Sequence, residues 1–392
     1  MPMRRSTLLA PALLAALVAV GTRADQPAPA VSTAPVANPV APAITADITA
    51  DRLLQHIRDL PTKRAAWGDE AHQQGLRETE AQLVKKLQAM GYEPLLQSVD
   101  HLGGRGRDRE AVPREPWNNI IVEIPGAGRE KEVLLWGAHF DAVVGSPGAD
   151  DNGTGVATLL EAARVLKDRR MQRTVRLCFF NLEEVGLVGA RAYAQHVQPA
   201  LEDRAHPEHH AIVGMISMDM LGFYSDKPDS QKSPIGESRF FKAPTVADFI
   251  GVAGVLRHRR FSQALDKAMR AAEPTLKTVV VDFLPIAPPD LLRSDHAPFL
   301  ALGVPAVIVS DTANFRSPHY HKPTDTIETL DAERFAVTAR GLIAALYTLA
   351  GPEGTELIDL APLPAPDAPP APDAPAAPDA PDAPAPEPAA TP

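Results

Sequence analysis

The sequence contains one cysteine, Cys178, among 392 residues. A lone cysteine cannot close an internal disulfide, so an exported chain of this size must rest on its apolar core or on metals. Cys178 lies inside the apolar run VRLCFF and reads as a small buried hydrophobe, not a nucleophile. No apolar run reaches the roughly 20 residues that a bilayer span needs. Basic residues number 39 against 49 acidic ones, a net charge of −10. Neither this balance nor the pattern offers a nucleic acid the basic face it would need. The glycine-rich stretch GADDNGTG, residues 148–155, has no Walker lysine, and its two adjacent acids would repel a phosphate.

What is present begins with two distinctive ends. Residues 1–24 carry Arg4 and Arg5 ahead of the apolar run LLAPALLAALVAV and read as an export signal. This predicts a periplasmic or secreted protein that meets the membrane only transiently, an uncleaved anchor being the lesser alternative. Residues 25–44 form an Ala/Pro-rich linker. Residues 353–392 form a Pro/Ala/Asp-rich tail, which from 361 onward holds Asp367, Asp373, Asp379, Asp382 and Glu387 with no lysine or arginine. Proline at this density blocks helix and sheet ladders, so the tail is expected to be extended and solvated.

Between these ends, residues 45–352 alternate strand-like and helix-like segments. Residues 118–126, 132–139, 174–181, 211–219 and 304–311 are short apolar runs that read as strands. Residues 156–170, 187–197 and 332–349 read as helices. This alternation predicts an α/β fold with a largely parallel sheet covered on both faces. Residues 225–260 begin polar and irregular, and read as an insertion over one face of the sheet.

Functional residues of open α/β sheets gather beyond the C-terminal ends of the strands. Those ends here carry His139 and Asp141, Glu183 and Glu184, Asp219, and a late loop with His319, Tyr320 and His321. Each group alone is commonplace; their joint placement is what points to a site. A calcium loop counted from Asp150 would reach Glu161 at its twelfth position. That reading fails on context, because a strand and not a helix precedes the loop.

The ordered motifs AHFD, GADDNGTG, NLEEVG, SMDM and YHKPTDT resemble the zinc exopeptidases of the bacterial leucyl aminopeptidase type, whose broader fold includes glutaminyl cyclases and glutamate carboxypeptidases. The resemblance spans residues 115–350. It implies a single domain with a mixed, mainly parallel sheet between helices and two zinc ions at the C-terminal ends of strands. It makes Asp150 the carboxylate bridging both zincs, gives His139 and Asp219 to one metal and Glu184 and His321 to the other, and makes Glu183 the general base. Asp141 could then accept the second N–H of His139, and Asp325 could similarly support His321 or the loop. In related enzymes the peptide between the two acids is often cis, so a cis Asp150–Asp151 bond is expected. SDHAPF, residues 294–299, belongs to the same resemblance and places Ser294, Asp295 and His296 near the substrate site, in contact with substrate or in a structural role. The expected activity is hydrolysis of N-terminal residues from peptides, with no protein partner implied. A glutaminyl cyclase, a carboxypeptidase and a non-catalytic binding module are the alternatives. A carboxypeptidase would need a cation for the substrate carboxylate, which the sequence alone does not place.

Overall fold

The structure is a computed structural model that describes residues 40–99, 116–233, 243–283 and 289–361. The expected signal at 1–24, most of the linker, residues 234–242 of the expected insertion and nearly all of the tail lie outside the described residues.

Eight strands form one sheet: β1 Leu95–Val99, β2 Trp117–Ile124, β3 Arg129–His139, β4 Arg173–Phe180, β5 Ala211–Met218, β6 Ile250–Val255, β7 Thr278–Phe283 and β8 Ala306–Ser310. Their order is β1-β2-β4-β3-β5-β8-β6-β7. The central four, β4-β3-β5-β8, are mutually parallel, and so is the β6/β7 pair. β1, β2 and the β6/β8 junction are antiparallel, which makes the sheet mixed. The parallel strands are near-continuous apolar runs because both faces are covered; β3 is buried from Val133 through His139.

The helices are α1 Val40–Thr45, α2 Ala50–Arg58, α3 Glu70–Ala89, α4 Gly153–Leu166, α5 Val188–Glu202, α6 Arg259–Ala272, α7 Ala297–Ala301 and α8 Ala332–Ala350. α4 and α8 pack in the main core with Trp136, Ile216 and Val307 of the sheet, while Tyr193 of α5 and Phe299 of α7 pack with Leu135, Phe180 and Met215 in a second cluster. The fold is therefore the expected single α/β domain with a mainly parallel mixed sheet between helices.

Three local readings differ. α4 begins at Gly153, earlier than 156, because Asn152 caps it: the Asn152 side chain accepts from the Gly155 amide at 3.1 Å. The expected insertion at 225–260 ends in β6, a strand of the main sheet that pairs with both β7 and β8. Its sequence, IGVAGV, carries two glycines, which dilute a strand signal. The packed chain also extends past 45–352 at both ends, since Ile44 of α1 and Leu360 are buried in the main core.

β3 is followed in the chain by β4 on one side and then by β5 on the other. A crevice opens where strand order reverses in this way, at the carboxyl ends of the strands. That is where the acids and histidines converge.

Candidate metal centre

His139 is the last residue of β3, and its ring is almost fully buried. Its Nδ1 lies 3.1 Å from the main-chain oxygen of Asp141, which makes Nδ1 a donor and turns Nε2 toward the crevice. The Asp141 carboxylate does something else. It accepts the backbone N–H groups of Glu183 and Glu184, each at 3.1 Å, and lies 3.5 Å from His139 Nδ1. Asp141 thus ties the end of β3 to the turn after β4 and acts as a positioning residue, with its carbonyl the nearer partner of His139 Nδ1 and its carboxylate also against that nitrogen.

The glycine-rich loop separates its two acids. The Asp150 and Asp151 amides both donate to the Asp325 carboxylate, at 2.9 and 3.1 Å, so Asp325 supports the loop and not His321. Beyond that clamp the side chains part. Asp151 Oδ1 lies 3.3 Å from His139 Nε2, and Asp151 Oδ2 lies 3.0 Å from His321 Nε2. Asp150 turns away: its Oδ1 accepts the Gly222 amide at 2.9 Å and meets Thr154 Oγ1 at 3.3 Å, and its carboxyl pairs with that of Asp311. Asp150 Oδ2 is buried with no N–H or hydroxyl donor among the described residues. Burial, with the charges of Asp311 and Asp325 adding, pushes the Asp150 pKa well above the ordinary carboxylate range. The expected assignment of Asp150 as the shared ligand is corrected accordingly: the carboxylate between the two histidines is Asp151. Among the described residues the cis bonds are Asp151–Asn152 and Asp219–Met220, and Asp150–Asp151 is not one of them.

Ligand-type atoms fall into two sets that share Asp151. One is His139, Asp151 and Asp219; the other is Asp151, Glu184 and His321; within each set the atoms lie within 4.8 Å of one another. Glu183 approaches His139 and Glu184 over the same range. It has no side-chain hydrogen bond among the described residues.

The electrostatics call for a cation. Asp141, Asp151, Glu183, Glu184, Asp219 and Asp295 face two histidines across the crevice. Burial, with Glu184, Asp219 and Asp295 adding, pushes Glu183 well above the usual range, while His139 opposes this. Burial and Asp151 raise Glu184 to about 7. Burial works against protonation of His321, but Asp151 and Glu184 outweigh it and hold the ring up to about 10. Asp151 Oδ2 and Glu184 Oε1 are buried with no aligned hydrogen-bond donor. Carboxylates and imidazoles crowded in this way, with orphaned oxygens, fit divalent zinc, which takes these same lone pairs in place of protons.

Sequence reasoning missed three contributors. Arg64, between α2 and α3, is buried and donates to the carbonyls of Phe140, Pro147 and Gly148, clamping the end of β3 to the glycine-rich loop. It has no local motif, because its partners are 76 to 84 residues away. Asp311 ends the late strand run and was visible, but it lacked a partner until Asp150 turned toward it. Arg293 donates to Tyr320 at 3.0 Å beside His321. The SDH segment is buried. Ser294 Oγ meets Ser217 Oγ of β5 at 2.9 Å, and His296 Nε2 contacts the Leu291 carbonyl at 2.8 Å. Asp295 has no partner for either oxygen among the described residues, and burial raises its pKa to about 8, with Asp219, Asp141 and Glu184 adding and His139 opposing.

Comparison with known proteins agrees with this architecture. The chain is 29% identical over 240 residues to YfbL, an uncharacterised Escherichia coli protein, covering 59% of this chain and 71% of YfbL. It is 27% identical over 256 residues to the aminopeptidase YwaD of Bacillus subtilis, covering 61% of this chain and 46% of that protein. Among solved structures, the Legionella pneumophila LapA aminopeptidase superposes with a TM-score of 0.59 at 20% identity, covering 81% of this chain and 75% of LapA. The zinc aminopeptidase BSAP of Bacillus subtilis gives 0.56 at 16% identity, covering 80% and 98%. A Porphyromonas gingivalis glutaminyl cyclase gives 0.53 at 18% identity, covering 76% and 98%, so this fold is common to both activities. Residues 119–346 match peptidase family M28, a stretch running from the start of β2 nearly to the end of α8 and holding every residue of the two ligand sets. The chain belongs to peptidase family M28.

Proposed function

We propose that the protein is an exported dizinc aminopeptidase that removes N-terminal residues from peptides. The observation that carries this reading is the pair of ligand sets sharing Asp151, with Glu183 beside them and uncommitted. His139 and Asp219 would hold one zinc, Glu184 and His321 the other, and Asp151 both. Bound zinc would polarise the scissile carbonyl and make water a competent nucleophile at neutral pH. The Glu183 carboxyl accepts the proton of the attacking water and returns it to the leaving amine. The Asp141 contact to its backbone holds Glu183 beside both ligand sets, in reach of that exchange.

Support for export comes from the basic and apolar residues of the first 24 positions. No helix among the described residues is long and apolar enough to cross a membrane. Detection of the mature chain in the periplasm or medium checks this part.

The decisive experiment pairs metal analysis with an assay on leucyl-anilide, N-blocked peptides and N-terminal glutaminyl peptides. Two zincs per chain and hydrolysis only of free N-termini are expected. Glu183→Gln should keep both metals and lose roughly 100-fold to 10,000-fold in turnover. Wild-type turnover in that variant would remove Glu183 from its role. Cyclisation of glutaminyl peptides without hydrolysis would replace the aminopeptidase reading with the cyclase one.

A further inference from the structure

The site has a cation at its edge that neither the ligand sets nor the general base uses. Arg293 follows a short 3₁₀ turn, Pro289–Leu292, and precedes Ser294, whose hydroxyl is pinned to Ser217 of β5 at 2.9 Å. The base of the Arg293 loop is therefore fixed to the strand that ends next to Asp219. Arg293 Nη2 donates to Tyr320 Oη at 3.0 Å. The Tyr320 ring lies flat on the His321 imidazole, with centroids 3.8 Å apart and planes 19° from parallel. The guanidinium carbon is 5.9 Å from the Tyr320 centroid. These two distances, 3.8 and 5.9 Å, keep it within about 10 Å of the His321 ring. Glu183 lies within electrostatic reach of Arg293, as do Asp151, Asp219 and Glu184 of Tyr320.

Arg293 is not consumed by these contacts. Its ion pair with Asp290 is long, at 3.5 Å, and 47% of its side chain is exposed. The guanidinium thus has N–H groups free toward solvent at the edge of a crevice whose other polar groups are mostly acidic. Arg64 cannot serve this purpose, because it is buried and committed to carbonyls.

A guanidinium no more than about 10 Å from the His321 ring is in range of one substrate group in particular. When the scissile carbonyl lies at the centre, the next residue ends about 3.8 Å further on. A carboxylate there that pairs with a guanidinium adds about 3 Å. A dipeptide carries its α-carboxylate at this point, whereas a longer peptide presents only a neutral amide. An acidic crevice without the cation would disfavour that carboxylate; a guanidinium, with its planar donor fork, selects it. We infer that Arg293, held against Tyr320, binds the α-carboxylate of the residue that follows the scissile bond, and so makes this site prefer dipeptides. The inference rests on the aminopeptidase reading above.

The test uses the zinc-loaded full chain with Leu-Gly, Leu-Gly-amide and Leu-Glu-amide. Leu-Gly should exceed Leu-Gly-amide in kcat/KM by about tenfold or more, mainly through KM, the size of effect that one charge-assisted contact supplies. In Arg293→Gln that ratio should fall below about twofold, whatever change the two substrates share, and Arg293→Lys should restore part of it because the charge remains. Zinc per chain should be equal in all three proteins. A wild-type ratio near one, or an unchanged ratio in Arg293→Gln, overturns the inference while leaving the aminopeptidase reading intact. A preference for Leu-Glu-amide over Leu-Gly overturns it in favour of an acidic side chain. Zinc loss in Arg293→Gln overturns it by tracing the effect to the metals. Failure to hydrolyse any of the three sinks the aminopeptidase reading and this inference together.

Discussion

Two adjacent carboxylates in one loop serve opposite purposes, and their neighbours decide which does which. Asp151 meets two histidines, whose contacts hold its pKa below the ordinary range in spite of burial. Asp150 is buried against Asp311 and Asp325, and burial with their charges raises its pKa. The exchange of roles is testable by two isosteric changes. Asp151→Asn should weaken zinc binding by more than the roughly 10-fold to 100-fold typical of losing a supporting residue. Asp150→Asn should keep zinc, because its amide can still donate to Asp311 and its oxygen can still accept from Gly222; the stability cost should be about 1 kcal/mol. Metal content by elemental analysis and thermal melting separate the two, and zinc loss in Asp150→Asn alone would restore the other assignment. The contrast also marks what was legible at this scale. His139, Glu183, Glu184 and Asp219 were legible because each ends or directly follows an apolar strand. Which of Asp150 and Asp151 enters the site was not, because an irregular loop has no side-chain period to count. Arg64 was beyond reach for a different reason: its role exists only once residues 76 to 84 positions apart meet.

Among the elements, the central strands and the helices α4, α5 and α8 were legible as apolar runs and periodic faces, since burial on both faces writes itself into composition. β6 was not, because its glycines answer to the neighbours and not to strand propensity: a Cβ on Gly254 would stand 3.0 Å from Val307 of β8. The same constraint acts more severely where α4 meets the sheet. A Cβ on Gly155 would lie 2.8 Å from Ala138 Cβ, 2.8 Å from the Met218 carbonyl and 2.5 Å from the capping Asn152 oxygen. Gly155 is thus needed for close approach of the helix to β3 and β5, with no special dihedral involved. Gly155→Ala should cost about 1–3 kcal/mol through overpacking. It should also weaken zinc binding, because the loop it displaces carries Asp151 directly before the Asn152 cap. Denaturant melts with and without zinc check both effects; a variant as stable as wild type would mean that the strands yield more easily than their burial indicates.

Across the whole molecule, the helices before β1 lie outside the matched family region and yet brace it. α1 and α2 pack on α8 and α4, and Glu161, buried in the middle of α4, is a polar link between them. It contacts Arg52 and His56 of α2 and Arg164 of its own helix, and Arg164 reaches on to Asp47. Burial works against the Glu161 charge, but His56, Arg164 and Arg52 overcome it and hold its pKa at about 2, below the ordinary 4.5. The unfolded chain therefore binds a proton at Glu161 at a higher pH than the folded chain does. Its contribution to stability is fully present above about pH 4.5 and is lost as pH falls toward 2. Glu161→Gln removes this dependence and leaves Arg52 and Arg164 without their buried counter-charge. The variant should melt lower than wild type at pH 7, and the gap should narrow as pH falls from 4.5 toward 2. Thermal melts of both proteins over that range, performed without zinc so that the metal centre does not contribute, read the difference directly. A gap that stays constant with pH would show that the N-terminal helices are held by their apolar contacts and not by this charge.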